Sequence, residues 1–289
     1  MNLKICVITG ANSGIGKAAA IQIAQKGYRV ILACRNREKG EAALEYIKQK
    51  SGSKAVGLMI VDMSQQASIR KFSKTFLQKY QRLDVLIQNA AIFDISQKVA
   101  LYTDEGIETI WATNHIGPVL LTDLLLPALK NGGQGRIITI ASKGLIAKPF
   151  LKVDLADPEF KNRKFSVTNA YYQSKRAQIM FTYWLAKELA RTNLTVNCIR
   201  VPAVRIDMNK YPNIPDILKK MYAMKSKNSL SPDQMASTYT FLATSDEMSA
   251  ISGKYYNEKN RQVKSNKYSN QSENITDVMR LTQGYIKSS

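Results

Sequence analysis

Hydrophobic positions along this chain come in two alternating textures. Short runs that are apolar at nearly every position, LKICVIT (3–9), YRVILAC (28–34), AVGLMIV (55–61), LDVLIQN (83–89), GRIITIA (135–141) and LTVNCIR (194–200), are separated by longer stretches of helical periodicity. The first texture predicts strands buried on both faces, and the second predicts amphipathic helices over 14–27, 36–50, 65–80, 104–129 and 167–192. Continuous Val/Ile/Leu strands, each followed by a helix, imply a parallel sheet covered on both sides. Right-handed crossovers then predict an α/β architecture, a doubly wound parallel sheet with helices on both faces.

After the sixth strand the rhythm breaks. Residues 201–230 hold three of the eight prolines, together with Met208, Met221, Met224 and Tyr222. Six cations (Arg205, Lys210, Lys219, Lys220, Lys225 and Lys227) stand there against Asp207 and Asp216, so the segment is a candidate substrate lid. Flexible methionines among cations suit a bulky apolar substrate with an acidic group, or a membrane-surface encounter; plain helix amphipathicity explains them equally well. Beyond it, Ser231-Pro-Asp-Gln predicts a capped helix, SGKYY (252–256) a last strand and ENITDVMRLTQGYI (273–286) a last helix. No internal repeat and no Pro/Gly/Ser-rich linker divides the 289 residues, so residues 1–289 read as one domain.

Composition narrows the setting. A hydrophobic content of 45% is that of a globular protein with a full-sized core. Cys6, Cys34 and Cys198 all fall in apolar runs without CxxC spacing, which argues against a disulfide framework or a zinc site and for a reducing, cytoplasmic setting. No metal site is expected. The opening MNLKICVITG is too short in apolar length for a signal peptide, and no later segment has the length of uncharged apolar residues that a spanning helix needs. The net charge of +20 attracts anions of every kind and names no partner. Basic residues are spread along the chain without a docking motif, so no specific nucleic acid is expected.

Two features carry chemistry. TGANSGIGK places Gly10, Gly14 and Gly16 between the first strand and the first helix. There a glycine backbone can approach a pyrophosphate and the helix N-terminus offers free N–H groups, the context that supports nucleotide binding. NAYYQSKRAQ (169–178) sets two tyrosines within one helical turn of Lys175, Tyr171 four residues before it and Tyr172 three. Spacing alone leaves the choice between them open.

The pattern TGxxxGxG, the QNAA at 88–91, Asn114 in WATNHIGPVLLT, ITIAS ending at Ser142 and Tyr171-x-x-x-Lys175 together resemble the short-chain dehydrogenase/reductase family, over almost the whole chain. The resemblance implies a single Rossmann-type domain of about seven strands that binds a nicotinamide cofactor and interconverts a small-molecule carbonyl and alcohol. By it, Tyr171 is the acid/base, Lys175 tunes it and bonds the nicotinamide ribose, Ser142 holds the substrate oxygen and Asn114 supports a proton-exchanging water. A free tyrosine has a pKa near 10; an ammonium one turn away and a positive nicotinamide ring would lower it. Tyr172 is left with packing, and His115, the single histidine, is structural.

By the same resemblance, Gly10, Asn12, Ser13, Gly14, Ile15, Gly16, Asp62, Met63, Asn89, Ala90 and Pro202 join Tyr171 and Lys175 as cofactor contacts. Arg35 and Arg37 stand just past the second strand, where an acidic residue would select NAD, and arginines favour a 2′-phosphate, so NADP(H) is expected over NAD(H). The connection between Ser142 and Tyr171, with its KVDLADPEFKNRKF insert, together with LACRN and SGKYY, is similar to the branch containing retinol dehydrogenases and WW-domain oxidoreductases. That branch mostly handles apolar carbonyls and alcohols, and many relatives form homo-oligomers. Three departures stand out: Ala91 and Ala203 replace family glycines, and the threonine expected after Pro202 has no counterpart in VRIDM. A methyl at a glycine position costs about 1 kcal/mol or more where the backbone needs positive φ. A non-catalytic NADP(H)-binding redox sensor is the alternative, although such proteins typically lose the tyrosine or lysine kept here.

Overall fold

The structure is a computed structural model that describes residues 3–205 and 229–287. Seven strands form one parallel sheet in the order β3-β2-β1-β4-β5-β6-β7. They are β1 (Ile5–Thr9), β2 (Arg29–Cys34), β3 (Val56–Ile60), β4 (Val85–Gln88), β5 (Arg136–Ser142), β6 (Thr195–Val201) and β7 (Lys254–Tyr256). Every position of β1 and β4 is buried, as strands covered on both faces require. The strand order reverses between β1 and β4, so a crevice opens at their carboxyl ends.

Helices cover both faces. On one side α1 (Gly14–Gln25), α2 (Arg37–Ser51) and α7 (Pro232–Thr244) close a core built on Ile8, Ile23, Leu32, Ile138 and Tyr239. On the other, α3 (Gln66–Lys79), α5 (Gly117–Asn131) and α6 (Val167–Glu188) pack around Val7, Phe72, Leu121 and Phe181. The expected cap of α7 is present: Ser231 Oγ accepts from Gln234 N, and Gln234 Oε1 accepts from Ser231 N.

The helix expected over 104–129 is corrected. Residues 101–109 form a tight turn, with Thr103 N donating to Ile107 O and Thr109 N to Leu101 O, both pairs within 2.9 Å. The buried Glu108 then caps α4 (Thr109–Trp111), accepting from Ile110 N and Trp111 N. A π-helical turn (Ala112–Ile116) follows before α5 begins at Gly117. Gly117 is required there, because a Cβ would run into the backbone oxygen of Met63.

α8 (Lys267–Asn270) and α9 (Ser272–Lys287) lie against α6, where Val278, Leu281 and Tyr285 pack on Ala177 and Met180. From Ala170 to Thr182, only Tyr171 and Tyr172 of α6 escape full burial. Assembly of copies through the α6 face would therefore require α9 to be displaced. Among the described residues no helix is long and apolar enough to cross a membrane. Of the candidate lid, Val204 and Leu230 form a parallel bridge; Met208, Lys210, Met221, Tyr222, Met224 and the other residues of 206–228 lie outside the described residues.

His115 is locked into this packing. Thr282 Oγ1 donates to Val278 O at 2.7 Å, so it accepts from His115 Nε2 at 2.7 Å, and Nδ1 accepts from Gln178 Nε2 at 3.2 Å. Burial holds the imidazole neutral, with its pKa lowered from 6.5 to about 3. Below pH 6.5 the unfolded chain takes up a proton that the folded one refuses. Stability is therefore expected to fall as pH drops from 6.5 toward 3, by up to about 1.4 kcal/mol per pH unit. Denaturant unfolding of wild type and His115→Gln across that window checks it; equal slopes would show that His115 is not the source.

Candidate active site

The connection from β1 to α1 explains the three glycines separately. Gly10 and Gly14 have φ of +65° and +56°, the left-handed region that disfavours a side chain. Gly16 needs closeness instead: a Cβ there would sit 2.5 Å from Asn89 Nδ2 and 2.7 Å from the backbone oxygen of Gly10. Ser13 starts α1 in an extended conformation without bonding its own cap, which leaves the amides of the first turn uncapped by that side chain. Asn89 ties this turn to β4, its Nδ2 donating to Thr9 O at 3.0 Å and to Gly10 O at 3.2 Å. Its Oδ1 accepts from the hydroxyl of the buried Tyr239 on α7 at 3.3 Å, a support the sequence did not signal.

A cavity of about 520 Å³ lies over this turn. Gly10, Asn12 and Ser13 form its floor; Asn89, Ala90, Ala91 and Ile92 form one end, and Arg35, Lys39, Asp62 and Met63 the other. Among the residues lining it, the expected Arg37 is absent. It is the first residue of α2, lies exposed and pairs with Glu41 at 3.7 Å. Asn36 caps that helix by accepting from Lys39 N at 2.8 Å, and this turn brings Lys39 to the cleft in place of Arg37. Arg35 stands 3.9 Å from Asp62 with most of its side chain in solvent. Gly14, Ile15, Gly16, Tyr171, Lys175 and Pro202, all expected cofactor contacts, do not line the cavity; Ile15 packs on the core and Gly16 lies buried beneath the turn.

The four residues of the expected catalytic set gather around the same strand ends. Lys175 is 2% exposed and its Nζ donates to Ile140 O at 3.0 Å, 5.8 Å from the centre of the Tyr171 ring. Ser142 lies near the Tyr171 hydroxyl and favours its ionised form, and Ser142 Oγ accepts from Gly144 N at 3.2 Å. Asn114, in the π-helical turn, clamps the chain after β4: its Oδ1 accepts from Ile92 N at 2.8 Å and its Nδ2 donates to Ile92 O at 3.0 Å and Ser174 Oγ at 3.2 Å. Tyr172 points elsewhere, its hydroxyl packed against Gly144 where any Cβ would collide. Phe93 lies against the Tyr171 ring at 4.4 Å.

A family model described as short chain dehydrogenase matches residues 4–150. The chain belongs to the short-chain dehydrogenase/reductase family. A second model, described as enoyl-(acyl carrier protein) reductase, matches residues 160–257. The chain is 36% identical to human retinol dehydrogenase 14 over 270 residues, 89% of this chain and 78% of that one. It is 33% identical to human retinol dehydrogenase 13 over 259 residues, 88% and 76% of the two chains. In fold it is similar to an uncharacterized protein from Mycobacterium paratuberculosis, with TM-score 0.76, 25% identity and coverage of 98% and 93%. L-sorbose reductase from Gluconobacter frateurii, solved with NADPH and L-sorbose, matches with TM-score 0.70, 23% identity and coverage of 89% and 95%.

Within this short-chain dehydrogenase/reductase, two expectations change. The phenol of Tyr171 is not acidified by the protein alone: burial pushes its pKa up to about 12, partly offset by the nearby Ser142 hydroxyl. Burial also lowers Lys175 to about 8, so its charge is retained only up to mildly alkaline pH. The departures from the family glycines carry no backbone strain, since neither Ala91 nor Ala203 has positive φ. Gln88, at the first position of the family's NNAG, donates to Pro118 O at 2.8 Å and to Thr122 Oγ1, fixing the start of α5 to β4.

Proposed function

We propose that this oxidoreductase interconverts a carbonyl and an alcohol on an apolar or amphipathic small molecule with NADP(H), using Tyr171 as acid/base. The observation that carries the reading is the buried Lys175 behind the Tyr171 ring, 5.8 Å from its centre, with Ser142 at the end of β5 and a glycine-floored cleft at the neighbouring strand ends. The residues fit a dinucleotide: Gly16 leaves no room for a methyl under the turn, Ser13 leaves the amides of the first helical turn uncapped by its side chain, and the cations Arg35 and Lys39 line the cavity. NADP(H), when bound, supplies or accepts the hydride. Ser142 donates a hydrogen bond to the substrate oxygen, and Tyr171 passes its proton to that oxygen or takes it back. Lys175 offsets the charge left on the phenol, and Asn114 holds the Ile92 backbone at the edge of the cleft.

Apolar side chains at the carboxyl ends of β4 and β5 support an apolar substrate. Val99 is 62% and Phe150 91% exposed, with Ile95, Leu101 and Ile146 beside them in the chain segments that leave those strands. NADPH oxidation over a panel of apolar and polar carbonyls tests the activity; cofactor binding without turnover on any of them would favour a redox sensor instead.

Arg35 and Lys39 support the 2′-phosphate. Charge-assisted hydrogen bonds contribute about 1.5–3 kcal/mol each. NADPH is therefore expected to be preferred over NADH by about tenfold or more in kcat/KM, and Arg35→Asp to erase or invert the preference. A wild-type preference for NADH would remove this part of the proposal.

A further inference from the structure

On the β7 side of α6 lies a second cavity, of about 220 Å³. Its apolar surface comes from Leu145, Ile146, Ile179 and Tyr255. Arg176, Arg200 and Lys264 line it too, and among the described lining residues there is no carboxylate. It shares no lining residue with the cleft described above, and Ser142, Tyr171 and Lys175 do not line it.

Arg176 is the unusual member. It is 2% exposed, yet its guanidinium meets only neutral acceptors, Nη1 at 3.2 Å from Ser269 Oγ and Nη2 at 2.8 Å from Lys148 O, while Nε has no partner. The Nε of Arg200 is likewise buried without a partner. A buried cation without a counter-charge is costly to the fold. Glu258, the acid that senses Arg200, gives its Oε1 to Lys143 at 2.9 Å. Positive charge is thus concentrated on a partly apolar hollow with no carboxylate among its described lining residues, Glu258 behind Arg200 being shared with Lys143.

We propose that this cavity binds a small amphipathic anion, a carboxylate or phosphate group on a short apolar tail. The head is held by Arg176, Arg200 and Lys264, and the tail lies on Leu145, Ile146, Ile179 and Tyr255. The tail is short because the volume falls below the roughly 300–1,000 Å³ of sites for drug-sized ligands. Leu145 and Ile146 belong to the 3₁₀ turn Lys143–Ala147 that Ser142 caps, and Arg176 bonds the residue that ends it. An occupant therefore touches the turn that starts at Ser142. Such binding requires no oxidoreductase activity.

Titration calorimetry on the whole protein tests it, with octanoate, octyl phosphate, octanol and inorganic phosphate as probes. Octanoate or octyl phosphate is expected to bind one per chain, at least tenfold tighter than octanol and than inorganic phosphate, without displacing NADPH. Arg200→Gln combined with Lys264→Gln should weaken that binding at least tenfold; Lys264 is exposed and the pair leaves the bonds of Arg176 intact, so folding is preserved. Lys264→Arg should retain it. Equal affinity for octanol would remove the role of the charge, and equal affinity for inorganic phosphate that of the apolar surface. Either result overturns the proposal, as would displacement of NADPH or unchanged octanoate affinity in the double variant.

Discussion

Replacing Tyr171 with phenylalanine is expected to lower kcat for carbonyl reduction by about 10³-fold while leaving the affinity for NADPH within a few-fold of wild type. Positioned acid/base groups contribute about 10² to 10⁴ in rate. The larger part of that range fits here, because among the described residues no second acid is placed beside Ser142: Tyr172 is packed on Gly144, and His115 is bonded on both ring nitrogens away from the cleft. The ring keeps its contact with Phe93 in the variant, so the pocket stays filled. Tyr172→Phe serves as the control and should leave kcat nearly unchanged. Comparable losses in both variants would mean that the helix, and not one hydroxyl, sets the rate.

Gly16→Val should have the second large effect, on cofactor binding. The added Cβ meets the Gly10 backbone oxygen at 2.7 Å and Asn89 Nδ2 at 2.5 Å. The side chain of Asn89 can move only by giving up its bonds to Thr9 O and Gly10 O, and the backbone of the turn must shift as well. Overpacking of this kind costs about 1–3 kcal/mol of stability. Because the displaced atoms form the floor of the cleft, the affinity for NADPH is expected to drop by about 100-fold, the equivalent of two lost hydrogen bonds. Gly14→Ala is the contrast: its φ is +56°, but nothing lies within 4 Å of the new methyl, so about 1 kcal/mol of backbone strain is its main cost. Fluorescence titration of NADPH with both variants separates the two cases. If Gly14→Ala proved the more damaging, close approach at Gly16 would be the wrong explanation.

Much of this molecule is written in local pattern. The strands follow from apolar runs because each is buried on both faces, and the start of α7 follows from Ser231 and Gln234 because a capping box involves only neighbouring residues. Features that depend on register or distant packing are not legible in the same way. A π-helical turn at Asn114 leaves no mark in hydrophobic periodicity, and it depends on the Glu108 cap and the close pass of Gly117 over Met63. Lys39 displaces Arg37 at the cleft because Asn36 caps α2 and fixes the helix phase, a difference of half a turn that composition cannot show. Tyr239 reaches Asn89 across 150 positions of sequence. The family motif names the groups of the site, but the raised pKa of Tyr171 follows from burial, which no motif contains.

In the proposed mechanism the Tyr171 phenol becomes a usable acid/base at neutral pH only when the cofactor's positive ring joins the Lys175 ammonium beside it. Ultraviolet difference titration of phenolate, wild type minus Tyr171→Phe, measures this directly in the absence and presence of saturating NADP⁺. A transition near pH 12 without cofactor, moving down by several pH units with NADP⁺, is the predicted result. A Tyr171 transition that stays where it was when NADP⁺ binds would contradict that mechanism.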